Sequence, residues 1–192
     1  MKTVLLGAAL CALGALGQFA DVWKNVNVSY GQPQIQSVRL SQAQLVQLKK
    51  VLVERMKLDG WCDEGEESDW VDRITLGRLP VSDDVKTLLV EAGVGCARGG
   101  QGSNGAMWIV RFEDDKPIFL ATPEHRFGGW LYSVEPSTSH GFKDVVLGWH
   151  MSAAEADLSY FKFDGTIYRL VGTAQRIADE DGSARIIPKT ER

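Results

Sequence analysis

Between Ser137 and Glu155 the chain reads STSHGFKDVVLGWHMSAAE, which gathers serines, two histidines and two carboxylates in one stretch. These are the residue types of a hydrolase: a hydroxyl nucleophile, an imidazole base and a carboxylate to orient it. The spacing argues against a local triad. With Lys143 to Met151 as a strand, Asp144 and His150 share a face but stand about 20 Å apart at roughly 3.3 Å per residue, so a triad needs a residue from elsewhere. Val145, Leu147, Trp149 and Met151 then form the opposite, core-facing side, and His150 projects outward with Gly148 leaving room beside it. The expected ligand contacts are therefore His140, Trp149, His150 and Glu155, the last in a Ser152-Ala-Ala-Glu155 turn with the spacing of a capping box. An inverted strand would make the indole of Trp149 the contact surface instead.

Other constellations are weaker. Arg98 to Ala106 (RGGQGSNGA) is glycine-rich but lacks the Lys-Ser/Thr that ends a phosphate-cradling loop, and Gln101 replaces the first glycine of a G-x-S-x-G elbow around Ser103. Cys62 to Asp72 (CDEGEESDWVD) concentrates oxygens of the kind Ca²⁺ attracts, yet its spacing matches no EF-hand. Asp179-Glu-Asp-Gly182 has no closing glutamate either. The three histidines, His125, His140 and His150, are scattered without the short paired spacing of a zinc site. These patterns point to no cofactor, no metal and no assigned catalytic residue.

The elements that must position these residues are one helix and many strands. Ser41 to Leu58 carries Leu45, Leu48, Leu52 and Met56 on one face; Ser41 and Gln44 form a capping box, and Asp59-Gly60 stops the helix. After Gly60 the texture changes to short β-branched and aromatic runs between turn residues: Arg73–Leu79, Val85–Ala92, Met107–Phe112, Ile118–Ala121, Trp130–Val134, Lys143–Met151, Leu158–Phe163 and Thr166–Val171. Val85–Ala92 also fits a helix capped near Ser82, with a slight preference for strand. Asp164-Gly165 reads as a two-residue type I′ hairpin turn. That register sets Phe161 opposite Tyr168 and puts Phe161, Phe163, Tyr168 and Leu170 on one core face, with Lys162 and Arg169 on the wetter one. The tail from Asp179 onward is polar and expected to fray. The fold class is α+β: one long amphipathic helix packed on an antiparallel sheet of about six to eight strands.

The ends set the compartment. Lys2 followed by the thirteen-residue apolar run Val4–Leu16 has the form of a secretory signal peptide. It is too short to span a bilayer, which asks for about 20 apolar residues. Cleavage after Gly17 is favoured over cleavage after Ala20, and residues 21–192 form a single domain that is secreted or periplasmic. Leu10 before Cys11 spoils a lipobox. Cys62 and Cys96 remain, an even pair in an oxidising compartment, and a bridge between them would contribute about 3 to 4 kcal/mol in the chain-entropy model. The full chain carries a net charge of −4 and loses one cation with Lys2. Such an acidic chain is a poor partner for nucleic acid or anionic membranes, and no later segment could insert in one.

The runs NGAMWIVRFEDDKPIFLA and SHGFKDVVLGWHMSAAEADLSYFKFDGTIYR resemble small exported bacterial proteins of uncharacterised function. These share S-H-G-aromatic-x-D, then W-H-x-S-A-x-E, then Y-aromatic-x-aromatic-D-G-x-x-Y, and the resemblance covers roughly Val85 to Val171. It implies export and brings no activity. Many of those proteins have a cysteine near the position of Gly105, which this chain lacks. The favoured function is an exported, non-enzymatic binding or interaction module for a protein, peptide or glycan, of an inhibitor-like kind; the alternative is a small extracytoplasmic hydrolase using His140 or His150 with a carboxylate.

Overall fold

The computed structural model describes residues 22–29, 33–59, 70–93, 96, 104–121 and 127–189. The signal segment, Cys11, Cys62, His125, most of the glycine-rich run and most of the acidic one lie outside them. Helix α1 (Gln42–Asp59) begins as its sequence dictates: the Ser41 hydroxyl accepts from the Gln44 amide at 3.1 Å, and the Gln44 side chain accepts from the Ser41 amide at 3.3 Å. This reciprocal pair satisfies two backbone donors at the helix start. Leu48, Leu52 and Met56 are fully buried and Leu45 half-buried, as one apolar stripe requires. The stripe packs with Trp70, Val90, Trp108 and Val110. No helix among the described residues is long and apolar enough to cross a membrane.

Among the described residues the sheet has ten strands where about six to eight were expected: β1 (Gln36–Ser37), β2 (Thr75–Leu79), β3 (Thr87–Glu91), β4 (Gly105–Glu113), β5 (Lys116–Phe119), β6 (Gly128–Ser139), β7 (Phe142–His150), β8 (Glu155–Phe163), β9 (Tyr168–Ala178) and β10 (Ala184–Pro188). They lie antiparallel in the order β1-β2-β3-β4-β6-β7-β8-β9-β10, with β5 on β4. The segment Val85–Ala92 is a strand within these bounds. The extra strands are β1 and β10. The latter forms from the tail expected to fray, because Asp179 and Ser183 close a turn in which Gly182 has φ +82° and Arg185 pairs with Asp179.

Alternation sorts the side chains of the first half of the sheet. Val90, Trp108 and Val110 point to α1, while Leu89, Met107 and Ile109 point into a larger core shared with β6 to β9. Among the described residues the β4–β6 ladder between the two halves has two residue pairs, Gly105 with Gly129 and Ala106 with Gly128. Gly129 sits at φ +93°, and a Cβ there would lie 1.8 Å from the carbonyl oxygen of Gly148, so no other residue fits this junction. The second half is covered on its other face too. Trp23 packs edge-on against Tyr160 at 5.6 Å, and the Tyr132 hydroxyl donates to the carbonyl of Asn27 at 2.7 Å.

The turns differ from expectation in an informative way. Phe163 pairs with Tyr168 and Phe161 with Leu170, so Asp164–Ile167 form a four-residue loop rather than a two-residue one. Asp164 selects it: its carboxylate accepts from the amides of Thr166 and Ile167 at 2.8 and 2.9 Å, and Gly165 takes φ +100°. The same bond from Ile167, then Arg169 and the bond from Thr166, hold the Asp164 carboxyl down at about 2. Two-residue turns with both central φ values positive occur instead at Asp114-Asp115 and at His140-Gly141. His140 thus has a backbone reason for its place, because histidine tolerates the left-handed region better than most side chains.

Candidate functional site

Strand β7 is buried on both faces from Asp144 to Gly148, and the expected core-facing set fails at its end. Val145 and Leu147 are buried, but Trp149 is 39% and Met151 58% exposed. His150, expected to project outward, is half-buried and lies flat on the indole of Trp130, with ring centroids 3.7 Å apart and planes 18° from parallel. The physical reason is that a strand covered on both sides carries no inside-outside signal in its alternation. The Gly148 side of the strand is roofed by Trp130, since a Cβ at Gly148 would come within 2.5 Å of that indole. The Trp149 side opens. Burial lowers the pKa of His150, so the stacked imidazole stays neutral further into the acid range.

Asn104 fixes the end of the strand. Its side-chain oxygen accepts from the His150 amide at 2.8 Å, and its amide nitrogen donates to the His150 carbonyl at 3.0 Å, as a neighbouring strand would. No sequence motif marks this residue, which stands near the end of the glycine-rich run. Glu155 holds the adjoining turn through its backbone: its carbonyl accepts from Met151 and Ser152, and its amide donates to the Ser152 hydroxyl at 3.1 Å. Half of a capping box is present with no helix behind it.

On the open side, alternate residues of two neighbouring strands line one recess: Leu147 and Trp149 from β7, Asp157, Ser159 and Phe161 from β8, with the backbone of Gly128 and Gly148. Its volume is about 300 Å³. Trp149 stands opposite Asp157, Asp157 opposite Gln175 of β9, and Gln175 opposite Ile187 of β10, so the row continues across four strands. The Lys189 ammonium pairs with the Asp157 carboxylate at 2.7 Å. Of the four expected contacts, Trp149 lines the recess, His150 lies on the opposite face of the same strand, and Glu155 begins the neighbouring strand. His140 is at the far end of the nine-residue β7, about 25 Å away, beside the Asp164–Ile167 loop.

A second polar cluster sits at that far end. Asp144 is fully buried, and its carboxylate accepts from the hydroxyls of Ser137 and Ser139, both at 2.8 Å, and of Tyr160 at 3.2 Å. Glu135, also buried, accepts from Ser133. Burial, opposed by the Ser133 bond and reinforced by Asp144, raises the Glu135 pKa; burial also pushes the Tyr160 hydroxyl up to about 12. The cluster pins an irregular stretch of β6 between Val134 and Thr138 to its neighbours. The His140-Gly141 turn is the signal that could have found it, because a two-residue turn sets Thr138 against Lys143 and so Ser137 beside Asp144. Among the described residues no group of His, Cys, Asp and Glu is placed to hold a metal ion. Asp72, the last acid of the acidic run, pairs with Lys49 at 2.7 Å. Cys96 is half-buried against the helix-side core, and its expected partner Cys62 lies outside the described residues. The chain has no significant match among protein-family models, curated proteins or solved structures.

Proposed function

We propose that the protein is an exported binding module whose contact surface is the recess walled by Trp149. The observation that carries the reading is a large aromatic side chain, 39% exposed, in an otherwise buried strand and beside the polar groups of Asp157 and Ser159. A concave, largely apolar site with a few convergent polar groups is the usual form of a ligand site. Its framework is rigid: Asn104, the Trp130–His150 stack and the Gly129–Gly148 approach all fix the strand that presents Trp149.

The hydrolase reading has less support. His140 and His150 sit at opposite ends of β7, and Asp144, the buried carboxylate with a serine bound to it, shares its oxygens with hydroxyls rather than with an imidazole. Export rests on the N-terminal apolar run, and a Cys62–Cys96 bridge, which we also propose, suits that compartment.

Ligand-observed NMR with the mature protein, against mixtures of short peptides and oligosaccharides, tests the proposal. Saturation transfer to one class, lost in Trp149→Ala at a temperature where the variant is still folded, is the expected outcome. Transfer that persists in Trp149→Ala would place the site elsewhere and overturn the reading.

A further inference from the structure

We infer that the Trp149 recess takes a neutral oligosaccharide, laid across the strands. The inference rests on the binding-module reading and adds the chemical class of the ligand.

The row across β7 to β10 presents an indole, a carboxylate, a carboxamide and an aliphatic side chain in order, as Trp149, Asp157, Gln175 and Ile187. Beside it, Leu147, Ser159 and Thr173 form a parallel row on the same face. A pyranose has one apolar C–H face and a rim of hydroxyls, each of which both donates and accepts. The flat, electron-rich face of an indole matches the first feature. The acceptors of Asp157 and the mixed donor-acceptor groups of Gln175, Ser159 and Thr173 match the second. Adjacent strands lie about 4.8 Å apart, comparable to the advance per unit of an extended oligosaccharide, so successive side chains of the row meet successive sugars.

Competing ligands fit worse. An acyl chain would cover Asp157, Ser159, Thr173 and Gln175 without replacing the hydrogen bonds they make with water, which is costly. A peptide adding itself as a strand needs a free edge. The strands that wall the recess, β7 and β8, are each paired on both sides, and β10 ends in Pro188, which has no amide donor. An anionic glycan needs unbalanced positive charge, but the Lys189 ammonium is matched by Asp157 at 2.7 Å and Arg185 by Asp179. Charge balance favours a neutral sugar.

The test is titration calorimetry of the mature protein with neutral tri- to hexasaccharides of glucose and of N-acetylglucosamine, with a sulfated oligosaccharide and a peptide mixture as comparisons. Binding to a neutral series is expected to strengthen with length to about three units, to weaken at least tenfold in Trp149→Ala and in Asp157→Ala, and to survive within a few-fold in Trp149→Phe. The Phe variant separates a lost stacking face from a damaged fold. Trp149-dependent binding of peptides alone overturns the sugar assignment and leaves the binding module intact. Binding of the sulfated sugar alone refutes the charge argument and with it the inference. No binding of any of these ligands overturns both.

Discussion

Replacing Gly148 by alanine tests the packing that presents the recess. The added Cβ would lie 2.5, 2.7 and 2.8 Å from three atoms of the Trp130 indole, closer than real contacts allow. Trp130 is 4% exposed and stacked at 3.7 Å on His150, so it cannot slide aside without giving up the stack. Overpacking of this kind costs about 1 to 3 kcal/mol, and an aromatic pair contributes about 0.5 to 1.5 beyond its buried area. The sum, roughly 1.5 to 4.5 kcal/mol, corresponds to a fall in Tm of about 3 to 18 °C for a domain of this size. A second consequence is independent of stability. Burial by its neighbours is what lowers the His150 pKa, so a displaced indole lets water reach the imidazole and moves its titration back up toward the ordinary value near ~6.5. Calorimetry reads the first effect and NMR titration of the His150 ring the second. A Tm within about 1 °C of wild type, together with an unmoved His150 titration, would show that Trp130 does not roof this strand.

Trp130→Ala should cost about 3 to 5 kcal/mol as a buried indole, and Trp149→Ala at least about 1 kcal/mol less because it is part exposed; denaturant melts giving the opposite order would restore a core-facing Trp149. Gly165→Val should destabilise by at least about 1 kcal/mol, from backbone strain at φ +100° rather than a clash, since the nearest described neighbour atom to a Cβ there is 3.6 Å away; an unchanged Tm would mean the loop relaxes freely. Glu135 has a raised pKa in the folded state, so folding takes up a proton and stability should fall as pH rises from the ordinary carboxylate range through that raised value. Glu135→Gln should flatten this dependence in melts across the acid-to-neutral range, and an identical profile would remove Glu135 as its source. Mass spectrometry of unreduced, exported protein should find Cys62 and Cys96 joined; two free thiols would refute the bridge.

The helix was legible because its signals are local and agree: the Ser41–Gln44 box, the stripe ending at Met56 and the stop at Asp59-Gly60 all lie within one segment. The tail was misread because its polar composition hid a turn. Asp181-Gly182 had the dipeptide of a hairpin turn, Ile186 and Ile187 follow it, and the Arg185–Asp179 pair helps hold the strand to β9. The recess was only partly legible, since Asp157, Ser159 and Phe161 reach it from a strand whose place beside β7 is set by long-range order.

One shifted register and one misassigned face show which kind of error matters for the site. The loop after Phe163 is two residues longer than the Asp-Gly signal implied, yet Phe161, Phe163, Tyr168 and Leu170 still share a face, with Lys162 opposite Arg169 on the other. An even shift preserves the side-chain period of two; only an odd one exchanges the faces. In β7 the register was not at fault at all. Asp144, Val146, Gly148 and His150 do share one face and Val145, Leu147 and Trp149 the other, but which face meets water is decided by Trp130 and by the segment carrying Trp23. Those covers come from residues far away in sequence. A strand pattern can therefore group the side chains that share a face while leaving open where the solvent reaches them, and here it reaches the indole at the end of a row whose Val145 and Leu147 stay buried.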